Sequence, residues 1–503
     1  MSSTLGAILL FGYFGVLFLI SRLTGRNASN TTFFRGNRTA PWWAIAFGMI
    51  GTSLSGITMI SVPGWVETTG MGYMQMVLGY VVGYYIIAYV LLPVYYRLQL
   101  PSIYSYLSDR FGRISYATGA SFFILNRTII ASLRLFVVAS VLHGLVFSAW
   151  GVPFWSSVVI SLALIWVYTH RAGIQTIIWT DSFQTLVMFL TVIISLVYVC
   201  SALDFGLLDA IAAIRDHANS RMFYLDDWKS PQFFVKQFLT GAFIPVVMTG
   251  LDQDMMQKNL ACRTLKDAQK NMVTYGYGFI PINLLLLSLG VLLVILAGQL
   301  GIAPLPAADK LYPTLATGGY LPSVVGVVFT LGVIAAAYSS ADSALTALTT
   351  SVTIDILRIP VDQEAKVKRV RLMVHAAMSV AMVVIILLFK ALDSGSVIGT
   401  LFTSVSYLYG PLLGIYAFGL FTHCKTREWA VPVVAIVSPV VCWLLRGWLL
   451  SAYGYSLGYE VLMLNGGLTF GLLWLLKGEG HFEDNRLQRR STAEAPEAAK
   501  GNI

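Results

Sequence analysis

Long apolar runs, separated by short stretches carrying charge, proline or glycine, recur along almost the whole chain. A helix that crosses a bilayer needs roughly 20 mostly apolar residues. Runs of about that size recur near residues 4–21, 42–66, 72–96, 116–148, 152–169, 173–203, 231–250, 271–300, 321–355, 372–392, 394–422, 429–450 and 458–476. The pattern predicts an all-α polytopic membrane protein with about thirteen transmembrane helices. The first run has no basic leader and no small-residue cleavage site, so it reads as a retained helix rather than a signal peptide.

Composition agrees. Of 503 residues, 57% are hydrophobic and only 11% charged, whereas a soluble chain carries about 25% charged residues. With a mean hydropathy of +0.73, an ordinary soluble enzyme is excluded. The formal charge of +9 is an orientation signal, because cytoplasmic loops of membrane proteins collect Lys and Arg. Most of the basic residues fall in the Arg22 to Arg38, Lys258 to Lys270 and Arg358 to Arg371 connections and in the tail. With an odd number of spans this predicts an external N-terminus and a cytoplasmic C-terminus in a bacterial inner membrane, and it leaves no role for nucleic acid. Cys200, Cys262, Cys424 and Cys442 form no C-x-x-C or metal-ligand spacing, so no disulfide or zinc framework is expected. No enzyme motif is found.

Backbone polar groups in hydrocarbon must be satisfied internally, so small and hydroxyl residues clustered at mid-membrane depth need a reason. Gly48 to Thr58 holds Gly48, Gly51 and Gly56 with Thr52, Ser53, Ser55 and Thr58. Two readings stand: close helix packing through small residues, or a broken helix whose freed carbonyls bind a cation. The seventh run has a related interruption, with Thr240, Gly241, Pro245, Thr249 and Gly250 leading into Asp252, Gln253 and Asp254. Paired interrupted helices in two halves point to an inverted-repeat transporter.

The ninth run carries a mid-helix carboxylate in Ala336, Ala337, Tyr338, Ser339, Ser340, Ala341, Asp342 and Ser343. An Asp at the centre of a span costs roughly 3 kcal/mol on insertion, so a partner or ion is expected. Ser339, Asp342 and Ser343 share one face, with Ser340 beside it. Hard oxygen ligands of low total charge suit sodium better than zinc or copper. The bland alternative is that each serine bonds back to a carbonyl one turn earlier. Asp181 in the sixth run has the same energetic problem. It is either an interfacial cap or a second buried acid that needs a cation or a shared proton opposite Asp342. Arg127 and Arg134 lie seven residues apart on nearly one face. Arg127 is expected to snorkel to the cytoplasmic edge, and Arg134 to neutralise an acid or to fork onto a substrate carboxylate.

With these residues the chain resembles the sodium:solute symporter family. The resemblance rests on Gly51 to Thr58, on Asp252, Gln253 and Gln257, on Ala336 to Ser343, and on Gly410 to Gly414. It implies the leucine-transporter-like fold: a five-plus-five inverted-repeat core over 42–203 and 231–422. An N-terminal peripheral helix (1–24), two C-terminal helices (429–477) and a cytoplasmic tail (478–503) flank that core. It implies a main sodium site from the carbonyls of Gly51, Leu54 and Ala336 and the hydroxyls of Ser339 and Ser340. A second sodium site would use Asp181, Ser339, Asp342 and Ser343, where Asp342 replaces the serine usual in the sialic acid type. Ser53, Ser55, Thr58 and Arg134 match the substrate pocket of sialic acid members, and Gln75 lies close to the position of a pocket glutamine. The expected activity is sodium-coupled import of a small organic solute, such as a carboxylated sugar or another organic anion. Proton-coupled symport on the same fold, or a transporter-like membrane sensor, are the competing readings.

Overall fold

Helices fill the segments that the apolar runs mark out, because only a helix satisfies its own backbone inside hydrocarbon. The computed structural model describes residues 3–24, 33, 40–98, 102–170, 173–302, 305, 308–359, 364–392, 397–455 and 457–481. Most of the basic Arg22 to Arg38 connection, part of the Arg358 to Arg371 connection and the tail beyond 481 lie outside the described residues. Among the described residues eight helices are long and apolar enough to cross a membrane, or up to ten when each of two bent pairs counts as one span. Three shorter apolar helices, Ile8–Thr24, Phe154–Thr169 and Val461–Leu475, coincide with three further expected spans.

The two bent pairs fall where the sequence clusters small and polar residues. Trp42–Ser53 and Gly56–Thr69 meet at 62°, and Phe234–Gly250 and Gln253–Asn259 meet at 74°. At the first bend Leu54 leaves helical geometry with ψ of 74°, and the Ser55 hydroxyl caps the second half by accepting from the Thr58 amide at 3.4 Å. At the second, Pro245 and a π-turn over Val246–Gly250 precede the break. The Asp252 carboxylate then caps the short half-helix, accepting from the Asp254 amide at 2.9 Å. A serine or aspartate that takes up orphan amides lets a helix restart after a break.

Burial separates core from periphery. The apolar window of the Ser323–Ile356 span is 78% buried, against 22% for those of Glu364–Ala391 and Ala430–Tyr453. The ninth span is therefore the central mast, and the latter two present apolar side chains such as Ile436, Val440 and Trp443 outward, as a lipid-facing surface requires. The Ile174–Ala202 helix packs along both the mast and the Trp42–Ser53 half-helix. The N-terminal helix docks on the mast by an edge-to-face contact of Phe14 on Tyr338, ring centroids 4.9 Å apart.

At the periphery Asn465 ties three helices together. Its amide donates to the carbonyls of Ser406 at 3.2 Å and Tyr407 at 3.0 Å, and its Oδ1 accepts from the Ser438 hydroxyl at 2.7 Å. Below them Cys424–Thr426 pairs antiparallel with Lys477–His481.

Tyr73–Ile86 lies along Phe234–Pro245 at a separation that glycine alone permits. A Cβ on Gly241 would collide with the Met76 carbonyl, and one on Gly79 with that of Phe238. Gly241→Val should therefore force the pair apart at a cost of about 1–3 kcal/mol or more. Thermal unfolding of the purified protein checks this, and an unchanged midpoint would contradict the contact.

Candidate functional site

The mast and the first bend meet. Ser340 Oγ donates to the Thr52 carbonyl at 2.9 Å, and Ser339 Oγ lies 3.3 Å from Thr52 Oγ1. Ser339 also donates to Asp181 Oδ1 at 2.5 Å, and Ser343 reaches Asp181 Oδ2 at 3.5 Å. All three serines thus point across to other helices. The back-bonding alternative is realised elsewhere on the mast, where Thr330, Thr349 and Thr350 donate to carbonyls four residues earlier. The buried stripe Ser339, Ser340, Asp342 and Ser343 and the small residues of the first bend therefore belong to one cluster. Gly51 is essential to it, since a Cβ there would run into Thr185 Oγ1 on the Ile174–Ala202 helix.

Carbonyls at both bends accept from side-chain hydroxyls. At the second, the Gly250 carbonyl accepts from the Tyr95 hydroxyl and the Leu251 carbonyl from the Tyr104 hydroxyl, each at 2.9 Å. Those acceptors are already occupied by neutral donors. At the first bend Gly51 and Leu54 are buried, as are Ala336, Ser339 and Ser340 on the mast, and the Thr52 carbonyl accepts from Ser340.

Asp181 is no interfacial cap. It is fully buried, the cap position of its helix being Gly173, and Lys258 supplies its counter-charge. The Lys258 ammonium lies 2.7 Å from Asp181 Oδ2 and 2.6 Å from Thr52 Oγ1. The sequence reading set Lys258 in a cytoplasmic connection; here the short half-helix beyond the second bend carries it into the core, 1% exposed. A signal was available, since Met255, Met256, Leu260 and Ala261 around it are apolar.

Asp342 accepts from the Tyr168 hydroxyl at 2.7 Å and from the Ser343 amide at 2.6 Å, so its charge is met by neutral donors from within the bundle. Among the described residues it forms no salt bridge with Arg134. Arg127 does not snorkel. It is 3% exposed and pairs with Asp252 at 3.5 Å and with Asp254, while Tyr409 donates to Asp252. The two acids that follow the second bend meet it there, supplying the counter-charge that a buried guanidinium would otherwise lack.

Beside the first bend lies a cavity. Ser53, Ser55 and Thr58 line one wall, Tyr80, Tyr84 and Phe279 another, and Arg134 reaches it from the Arg113–Leu142 helix. Arg134 Nη1 is 3.4 Å from Ser340 Oγ, and its Nε has no hydrogen-bond partner. Unlike Arg127, it has no salt-bridge partner among the described residues, and its charge faces the cavity. Gln75 does not line this cavity. Its amide is tied to the backbone, donating to Gly72 and Gln232 and accepting from the Tyr224 amide at 3.0 Å.

Residues 33–432 match the model of the sodium:solute symporter family. A sodium-dependent multivitamin transporter of Oryctolagus cuniculus is 28% identical over 84% of this chain, which spans 65% of that relative's length. A sodium/sialic acid symporter of Aliivibrio fischeri is 24% identical over 93% of both chains. Among solved structures, the substrate-bound outward-open state of a Na+-coupled sialic acid symporter superposes with a TM-score of 0.79 at 19% identity. The superposition covers 94% of this chain and 97% of that one. With a family match over most of its length and a shared fold, the chain belongs to the sodium:solute symporter family.

Proposed function

We propose that this multi-pass membrane protein is a sodium-coupled symporter that imports a small organic anion by alternating access. One observation carries the reading: Ser340 touches both halves of the machinery, its hydroxyl bonded to the Thr52 carbonyl at the first bend and within 3.4 Å of the Arg134 guanidinium in the cavity. Sodium would be held by Gly51, Leu54, Ala336, Ser339 and Ser340. The substrate carboxylate would pair with Arg134, its polar groups with Ser53, Ser55 and Thr58, and its body would rest on the aromatic wall. A carboxylated sugar such as sialic acid fits this chemistry. The likeness to sodium/sialic acid symporters supports both the ion and the solute class.

In this reading the two bent pairs belong to inverted repeats over 42–203 and 231–422. The peripheral helices are 1–24 and 429–477, and the basic connections, apart from Lys258, and the 478–503 tail lie in the cytoplasm of a bacterium. The membrane potential then drives sodium inward with about 2.3 kcal/mol per charge per 100 mV. Because Ser340 serves ion and anion together, sodium raises solute affinity and the solute raises sodium affinity by one common factor.

Uptake into proteoliposomes tests the coupling. An inward sodium gradient is expected to drive accumulation of a solute that stabilises the protein in a thermal-shift screen, whereas accumulation driven by protons alone would overturn the proposal. Ser340→Ala deletes one ligand and leaves the Thr52 carbonyl without its donor. At about 1–3 kcal/mol for such a loss, sodium affinity should fall roughly 5- to 150-fold. Unchanged affinity would remove Ser340 from the site.

A further inference from the structure

We propose that Lys258 is a tethered replacement for a second coupling ion: its ammonium occupies the cation position between Asp181 and Thr52, so no sodium binds there. The inference rests on the sodium-coupled reading above and fixes how many ions that reading employs.

The ring around Asp181 is what a second sodium would require. Ser339 Oγ lies 2.5 Å from Oδ1, Thr52 Oγ1 is 3.0 Å from Oδ2, and Ser343 Oγ is 3.5 Å from Oδ2. The position facing these oxygens is taken from within the chain, by the Lys258 ammonium at 2.7 Å from Asp181 Oδ2 and 2.6 Å from Thr52 Oγ1. An ammonium is a compact point charge with three donors, and it meets a carboxylate and a hydroxyl as an alkali ion does, at slightly longer distance. Lys258 is fixed in this place by its own half-helix, where Asn259 Oδ1 accepts from Asn271 Nδ2 at 2.7 Å and Gln257 Nε2 donates to Thr350 Oγ1 at 3.2 Å.

Two like charges about 4 Å apart at a protein-like effective dielectric repel enough to lower ion affinity about a thousandfold. The ring therefore does not hold lysine and sodium together. Sodium is left to the main site proposed above, at Gly51, Leu54, Ala336, Ser339 and Ser340. A tethered cation neutralises Asp181 through every step of the cycle without crossing the membrane, so each solute would enter with one sodium rather than two.

Equilibrium dialysis with radioactive sodium alone, on the purified full chain, needs no knowledge of the solute. Wild type is expected to bind about one sodium per chain, Lys258→Met about two, and Lys258→Met with Asp181→Asn about one again. Lys258→Arg keeps the charge and should stay with wild type. The decisive readout is the Asp181-dependent ion gained when the lysine is removed. Equal counts in wild type and Lys258→Met, or an Asp181-dependent second ion in wild type, would overturn the inference. If wild type binds none but Lys258→Met gains one, the main sodium site fails and the tethered-cation assignment stands. Should Lys258→Met unfold without sodium, its melting in sodium against choline chloride gives a second measurement. Recovery by sodium that is lost in the double variant supports the proposal, and no sodium effect on that melting contradicts it. If neither reading can be made on the variant, the wild-type count decides, with two ions overturning the proposal and one upholding it.

Discussion

Arg134→Gln is expected to reduce uptake of the organic anion about 30-fold to a few thousand-fold, the range that corresponds to losing one partner of a buried, hydrogen-bonded charge pair. The guanidinium is 8% exposed, opens onto the cavity and has no carboxylate of its own among the described residues. A bound anion is therefore the group that completes its electrostatics. Arg134→Lys should fall nearly as far, because a point charge cannot reproduce the planar two-pronged grip on a carboxylate. Sodium binding measured without solute should weaken much less than solute binding, since the contact to Ser340 is long at 3.4 Å. Solute titration in a fixed, saturating sodium concentration makes the measurement. An Arg134→Gln protein that binds the anion within about threefold of wild type would assign the carboxylate to some other group.

Arg127→Met should act on the fold rather than on solute recognition, although the two arginines share one helix and both reach the cavity wall. Removing Arg127 leaves Asp252 and Asp254 buried next to each other without a cation. Breaking a buried ion pair from one side costs about 3–5 kcal/mol, a large part of the stability of most domains. The expected result is a sharply lower unfolding midpoint or loss of monodisperse protein. Arg127→Met combined with Asp254→Asn should recover most of the loss, because the remaining Asp252 keeps its Tyr409 donor and its capping bond to the Asp254 amide. An Arg127→Met protein that melts within about two degrees of wild type would show that the acids at the second bend carry no net charge to be balanced.

What could be read from residues alone was set by how local the cause is. Apolar runs report helices because the bilayer imposes length and composition on each segment separately. Gly51, Ser55, Pro245 and Asp252 report the bends because breaking and restarting a helix are chemical properties of the residues at the break. Asp181 and Asp342 stood out because a carboxylate inside an apolar run is costly wherever it lies. Partnerships were not legible. Lys258 is 77 positions from Asp181, and a lysine close to a helix end resembles a loop residue until the bend carries it inward. Arg127 was expected at the interface because the acids that hold it are 125 and 127 positions further along. Gln75, polar and near the pocket in sequence, spends its amide on the backbone of 72, 224 and 232.

The Asn465 knot has a mechanical corollary. Because one amide side chain is fastened to the backbone of the Val397–Phe421 helix and to Ser438 of the Ala430–Tyr453 helix, those rods travel together or not at all. Nothing can shear between them without stripping buried acceptors of their donors. In the alternating-access reading proposed above, that shared knot makes the three carboxyl-terminal rods one rigid body.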